Sequence, residues 1–139
     1  MAMPKELTKE ELIKLGITDI TRDGRVFVNG YERSMSIAVC KHKYGKNCKY
    51  HTFSIYDKEL RDRQIKEKRS ITNGIRILVL SRCMYAWFYG KADARMDIDH
   101  INNNSLDDRI ENLQLLTRQQ NLAKRLGNKN HWQIINGGE

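Results

Sequence analysis

The sequence predicts an α+β fold in a single small domain, with an N-terminal helix, then antiparallel hairpins, then a C-terminal unit of strand, loop, strand and helix. Three observations predict it. A chain of 139 residues with 40% hydrophobic residues supports one modest core and not two. Helix-start signals stand near both ends, at Thr8 with Glu11 and at Thr117 with Gln120. Between them lie two Asx-Gly turn signals, Asp23-Gly24 and Asn29-Gly30, around the strand-like run Arg25-Val26-Phe27-Val28.

Each element has a local reason. The first helix carries Leu7, Leu12 and Leu15 as its apolar stripe, and Gly16 stops it. Residues 17–56 read as a small antiparallel sheet. Residues 57–70, DKELRDRQIKEKRS, alternate charge sign at helical spacing and predict a solvated helix or long loop without a chemical role. The run from Ile75 to Leu80 is apolar and β-branched enough for a buried strand. Ser81 is then expected to cap a segment over 82–89 whose Tyr85, Trp87 and Phe88 read as core rather than as a base-stacking platform. Asp97 to Ile101 alternates polar and apolar residues, so Asp97 and Asp99 share one face of a strand and His100 points to the other. Residues 102–108 form a polar loop and 112–116 a second short strand. A helix follows over about 118–125, closed by Gly127. The organisation expected is 1–16 as N-terminal helix, 17–90 as a β-rich region, 91–127 as the terminal unit and 128–139 as a flexible tail.

Composition narrows the function classes. Twenty-five Lys and Arg against seventeen Asp and Glu give a net charge of +8, which favours a polyanionic partner. No apolar run reaches the roughly 20 residues needed to span a bilayer, and the opening MAMPKELTKEEL is too polar for a signal peptide. No membrane association is expected, and the expected location is the cytoplasm. Three cysteines in a small chain read as reduced thiols rather than a disulfide framework.

Within this basic chain, residues 96–121 concentrate Asp, His and Asn. Folding of the terminal unit could bring Asp99, His100, Asn112 and Asn121 together. A carboxylate and an amide oxygen are hard ligands suited to Mg²⁺, and neutral imidazole, ordinarily titrating near about 6.5, can accept a proton from water near neutral pH. Such a group suits metal-assisted hydrolysis of a phosphodiester. Taken singly, a strand histidine is more often structural and an Asn-rich loop is usually a set of turns. The joint spacing is what distinguishes this stretch.

Asp99-His100, Asn112 within RIENL and Asn121 within TRQQNL resemble the HNH endonucleases, also called ββα-metal or His-Me-finger nucleases. The match is to the subtype, common in phages and mobile introns, whose last histidine is replaced by asparagine. The segments ITRDGRV (20–26) and RCMYAWF (82–88) also look like those preceding the motif in phage HNH proteins. The resemblance implies Asp99 and Asn121 as ligands of one divalent ion, Mg²⁺ or Mn²⁺, per active site. It makes His100 the general base and Asn112 the residue that holds the His100 loop in place. It further implies double-stranded DNA as substrate, nicked or cut through, acted on by a monomer or homodimer in the host cytoplasm if phage-encoded. Homing, genome packaging and host-DNA attack all fit it. Asp108 departs from the pattern, since family members often carry Asn before the Arg.

Phosphate contacts are expected from Arg109, Arg118, Lys124 and Arg125 and from Lys41, Lys43 and Lys46. Cys40, His42, Cys48 and His51 offer four zinc-ligand types around the turn KHKYGKN. The spacing departs from usual zinc fingers, so structural zinc is the lesser reading beside a Lys-rich hairpin that touches phosphates. The competing function is a non-catalytic basic DNA-binding module on a degenerate nuclease fold.

Overall fold

The central element is a ten-residue helix, α3, spanning Leu80–Tyr89, whose buried face carries Leu80, Cys83, Met84 and Ala86. In this computed structural model, residues 6–40, 48–68 and 73–126 are described. The fold is α+β, with four small antiparallel sheets and four α-helices among those residues.

At the N-terminus, β1 (Leu7–Thr8) runs into α1 (Lys9–Lys14). The Thr8 side chain accepts the Glu11 amide at 3.2 Å, and Leu12 is fully buried against the core. A sheet of β2 (Ile17–Ile20), β3 (Val26–Val28) and β4 (Tyr31–Glu32) follows. Its second turn is Asn29-Gly30, both with positive φ, 51° and 85°, as a two-residue type I′ hairpin requires.

Next, β5 (Ser36–Cys40), the long β6 (Cys48–Tyr56) and β7 (Ile75–Val79) form the largest sheet, in the order β5-β6-β7. Phe53 and Ile55 of β6 and Leu78 of β7 face the core. Between β6 and β7 lies α2 (Lys58–Lys66), capped by Asp57 and without a buried residue. It is the solvated helix that its mixed charge predicted.

The polypeptide passes from β7 directly into α3. Ser81 is therefore not the cap: it is buried inside the helix, and the cap position falls on Val79, which makes no side-chain capping bond. Starting the helix at Leu80 places that residue on the i, i+3, i+4 stripe with Cys83 and Met84, so core burial sets the start rather than capping. Tyr85, Trp87 and Phe88 pack partly buried against the same core. The helix ends at Gly90, and β8 (Lys91–Ala92) returns to pair with β1.

The terminal unit consists of β9 (Asp97–His100), a 3₁₀ turn (Ile110–Asn112), β10 (Leu113–Leu116) and α4 (Arg118–Arg125). Asn112 belongs to the turn rather than to the strand expected over 112–116, because its N–H donates to the Arg109 carbonyl at 2.8 Å. The unit is fastened to the body by the Ile110 amide, which donates to the Arg22 carbonyl at 2.9 Å, and by burial of Ile110 and Leu113 in the common core. Gly127 and the tail lie outside the described residues, as does the segment 41–47. No helix among the described residues is long and apolar enough to cross a membrane.

Candidate active site

β9 and β10 pair antiparallel, with His100 opposite Leu113 and Asp99 opposite Gln114. Strand alternation sends Asp97 and Asp99 to one face. There α4 crosses them, presenting Asn121 and Lys124 three residues apart on one side of the helix. The Asn121 amide donates to Asp97 at 3.0 Å, and the Lys124 ammonium reaches Asp99 at 2.5 Å. Lys124 also donates to the His100 carbonyl at 3.0 Å, and Gln114 donates to Asp99 at 2.8 Å. A reciprocal capping box fixes the start of α4: Thr117 accepts the Gln120 amide at 3.1 Å, and the Gln120 side chain accepts the Thr117 amide at 2.8 Å.

His100 turns to the other side. Its Nε2 lies 2.7 Å from Oδ1 of Asp108, a buried carboxylate with side-chain exposure of only 4%. The second oxygen of Asp108 lies 3.0 Å from Nδ1 of His51, which comes from β6 in the body of the protein. A buried carboxylate is costly unless it is paired, and here both oxygens are paired.

Asn112 is buried and organises the connecting loop. Its oxygen accepts the Asn102 amide at 3.0 Å, and its Nδ2 donates to the Asn102 side chain and to the Asp107 carbonyl, both at 2.9 Å. Asp107 in turn holds Arg109 through two bonds of 2.8 Å. The Arg109 guanidinium keeps the Asp107 carboxyl well below the usual carboxylate range, with help from Asn102. Upstream, Arg82 of α3 donates to the carbonyls of Ala92, Asp93 and Met96, and so pins the segment that enters β9.

The structure thus brings Asp99, His100, Asn112 and Asn121 into one unit, with Asn121 bonded to Asp97 rather than to Asp99. Of the basic residues, Lys124 is bonded to Asp99, Arg109 is committed to Asp107, and Arg118 is exposed on α4. The side chain of Arg125 lies outside what is described, as do Lys41, Lys43, Lys46 and His42. Cys40 and Cys48 are cross-strand partners, and burial, with the neighbouring Cys40 thiol, pushes the Cys48 thiol up. His51, three residues from Cys48 along β6, falls on the opposite face and points to Asp108 instead. Sequence reasoning did not place Asp97, Asp108 or His51 beside Asp99 and His100 as parts of the site, His51 being offered only as a zinc ligand. Asp97 was signalled by alternation with Asp99, whereas nothing local signalled the bridge from Asp108 to β6.

Residues 79–123, which take in α3, β9, the 3₁₀ turn, β10 and the first six residues of α4, match the protein-family model described as HNH endonuclease. Comparison with curated proteins and with solved structures gave no match. The match takes in α3 as well as the ββα unit, and the Asp-His strand, the turn bearing Asn112 and the helix bearing Asn121 all lie within it. Over residues 79–123, about a third of its length, the chain is thus similar to the HNH endonucleases.

Proposed function

We propose that the protein is a divalent-metal-dependent endonuclease that hydrolyses phosphodiester bonds in double-stranded DNA, of the kind encoded by phages and mobile elements. One observation carries this reading. The Asp99-His100 dipeptide ends β9, with α4 laid across its acidic face and Asp108 behind its imidazole, inside the segment that matches the nuclease family.

The donor set fits a hard ion. Asp97 and Asp99 offer carboxylate oxygens and Asn121 an amide oxygen, while its nitrogen is already directed to Asp97. Asp99 already draws one cation, the Lys124 ammonium. Among the described residues no cluster of three or more His, Cys, Asp or Glu is arranged to hold a metal. Mg²⁺ needs no such cluster, because it binds through one or two carboxylates, waters and substrate phosphate rather than an all-protein cage. Asp99 and Asn121 would hold the ion, which when bound supplies stabilisation of charge developing at the scissile phosphate and the leaving oxygen.

The remaining work falls to side chains. His100, as neutral imidazole, accepts a proton from the attacking water. Asn112 keeps the loop after His100 closed, so the ring stays where β9 delivers it. Arg118, exposed on α4, adds positive charge for the phosphate backbone.

The test is supercoiled plasmid incubated with Mg²⁺ or Mn²⁺, with EDTA as control. Relaxed or linear product is expected with metal and none with EDTA. His100→Ala should cut about 10² to 10⁴ times more slowly, the usual worth of a positioned base. DNA binding without cleavage under every metal would instead identify a non-catalytic binding module.

A further inference from the structure

We infer that His51 and Asp108 are positioning residues for catalysis: they form a relay from β6 to the ring of His100 that fixes its tautomer and its orientation. The inference rests on the reading of His100 as the general base.

The argument begins with hydrogen-bond inventory. An ionised carboxylate only accepts, so each ring nitrogen facing Asp108 must carry a proton. His100 therefore donates through Nε2 at 2.7 Å and His51 through Nδ1 at 3.0 Å. A neutral His100 that donates through Nε2 has its one lone pair on Nδ1. The carboxylate thus selects which ring nitrogen is left facing away from Asp108, and holds the ring in that orientation.

Asp108 alone would not fix the ring. A carboxylate held by one bond can rotate, and among the described residues it is the second bond, to His51, that sets its plane. The surroundings are those of an interior device: side-chain exposure is 4% for Asp108, 12% for His100 and 24% for His51. A second contact from the same strand supports the arrangement, since the Ser105 hydroxyl donates to the Lys49 carbonyl. Residues 49 and 51 of β6 therefore both grip the loop between His100 and Asn112. His51 lies outside the segment that matches the nuclease family, so part of the base's support comes from the body of the protein.

The test compares His51→Ala, His51→Asn and Asp108→Asn with the full-length wild type, each also combined with His100→Ala. Asparagine Nδ2 occupies about the place of histidine Nδ1 and keeps the donor, whereas alanine removes it. In Asp108→Asn the amide presents a donor to one of two ring donors, so one histidine must change tautomer. Single-turnover nicking is read with saturating metal, and DNA affinity is read separately in Ca²⁺.

Expected is a loss of about 10- to 100-fold in rate for His51→Ala, the usual effect of removing a residue that orients a functional group. Asp108→Asn should lose more, and His51→Asn should recover most of the rate. DNA affinity should stay within about twofold, and none of the three should slow cleavage further once His100 is alanine. Rates at wild-type level for His51→Ala and Asp108→Asn, while His100→Ala collapses, would overturn the relay and leave the base in place. So would equal losses with and without His100. A wild-type rate for His100→Ala would remove the base, and the relay with it.

Discussion

The matched segment 79–123 and the β5-β6-β7 sheet meet at one carboxylate, and they are built in different ways. In the terminal unit the contacts of the site span no more than 25 residues: Asp108 is 8 from His100, Asn112 is 10 from Asn102, Asn121 is 24 from Asp97 and Lys124 is 25 from Asp99. The sheet reaches the site through contacts spanning 56 and 57 residues, Ser105 to Lys49 and Asp108 to His51. The segment carries the proposed reacting groups, and the sheet backs them with a strand whose Phe53 and Ile55 are anchored in the core. The difference teaches that a short segment can bring its polar side chains together by its own spacing and still take part of their support from a distant strand.

The sharpest way to break this comparison is at Asp99. Asp99→Asn keeps the shape and an oxygen for Lys124 but removes charge from a proposed metal ligand. It should cost about three orders of magnitude or more in cleavage, equivalent to several kcal/mol at about 1.36 kcal/mol per tenfold. Plasmid nicking across metal concentration checks it, with a melting curve expected to stay close to wild type. Phe53→Ala should do the reverse. Deleting a fully buried aromatic costs about 3–5 kcal/mol of stability, measured by urea unfolding, while cleavage per folded molecule falls far less than in Asp99→Asn. If Phe53→Ala left stability unchanged, the sheet would not be the anchor described here.

A smaller effect concerns binding. Each phosphate neutralised contributes about 0.9 to the slope of log affinity against log salt. Arg118→Ala should flatten that slope and weaken all DNA sequences alike, as followed by fluorescence anisotropy in Ca²⁺. An unchanged slope would take this face of α4 out of the binding surface. The smallest effect separates the thiols. Burial pushes Cys83 up to about 12, so its thiolate is scarce at neutral pH, and a maleimide should label Cys40 and Cys48 well before it. Because the folded-state value is raised above the ordinary 9.0, its contribution to stability is present below pH 9.0 and is lost as pH rises towards 12. Early labelling of Cys83 in the native protein would show that α3 opens locally.

Much of this was legible in the sequence because the signals are local. Thr8 with Glu11, Asn29-Gly30 and Thr117 with Gln120 each determine an end or a turn within four residues, and each stands where it was expected. The α+β class and the helix over 118–125 follow from them. Ser81 misled because a helix that begins directly from a buried strand takes its start from packing, which no neighbouring residue encodes. The partner of Asp108 was illegible for a related reason. His51 stood beside Cys48 and Cys40 in the sequence, and its spacing suggested zinc, but strand alternation turns it to the other face of β6. Asp97 lay in between: alternation placed it with Asp99, yet only the crossing of α4 showed that Asn121 meets it.

The long span between His51 and Asp108 also orders events in time. Chain entropy makes closure of a 57-residue loop about 1.7 kcal/mol harder than closure of an 8-residue one. During synthesis at about 5–20 residues per second, Asp108 follows His51 by roughly 3–11 seconds. The pair formed by His100 and Asp108 can therefore assemble early and locally, whereas the half-buried histidine of β6 is captured only when the two halves dock. In refolding experiments, compaction and secondary structure should recover before full cleavage rate, and the interval between them should measure that docking step.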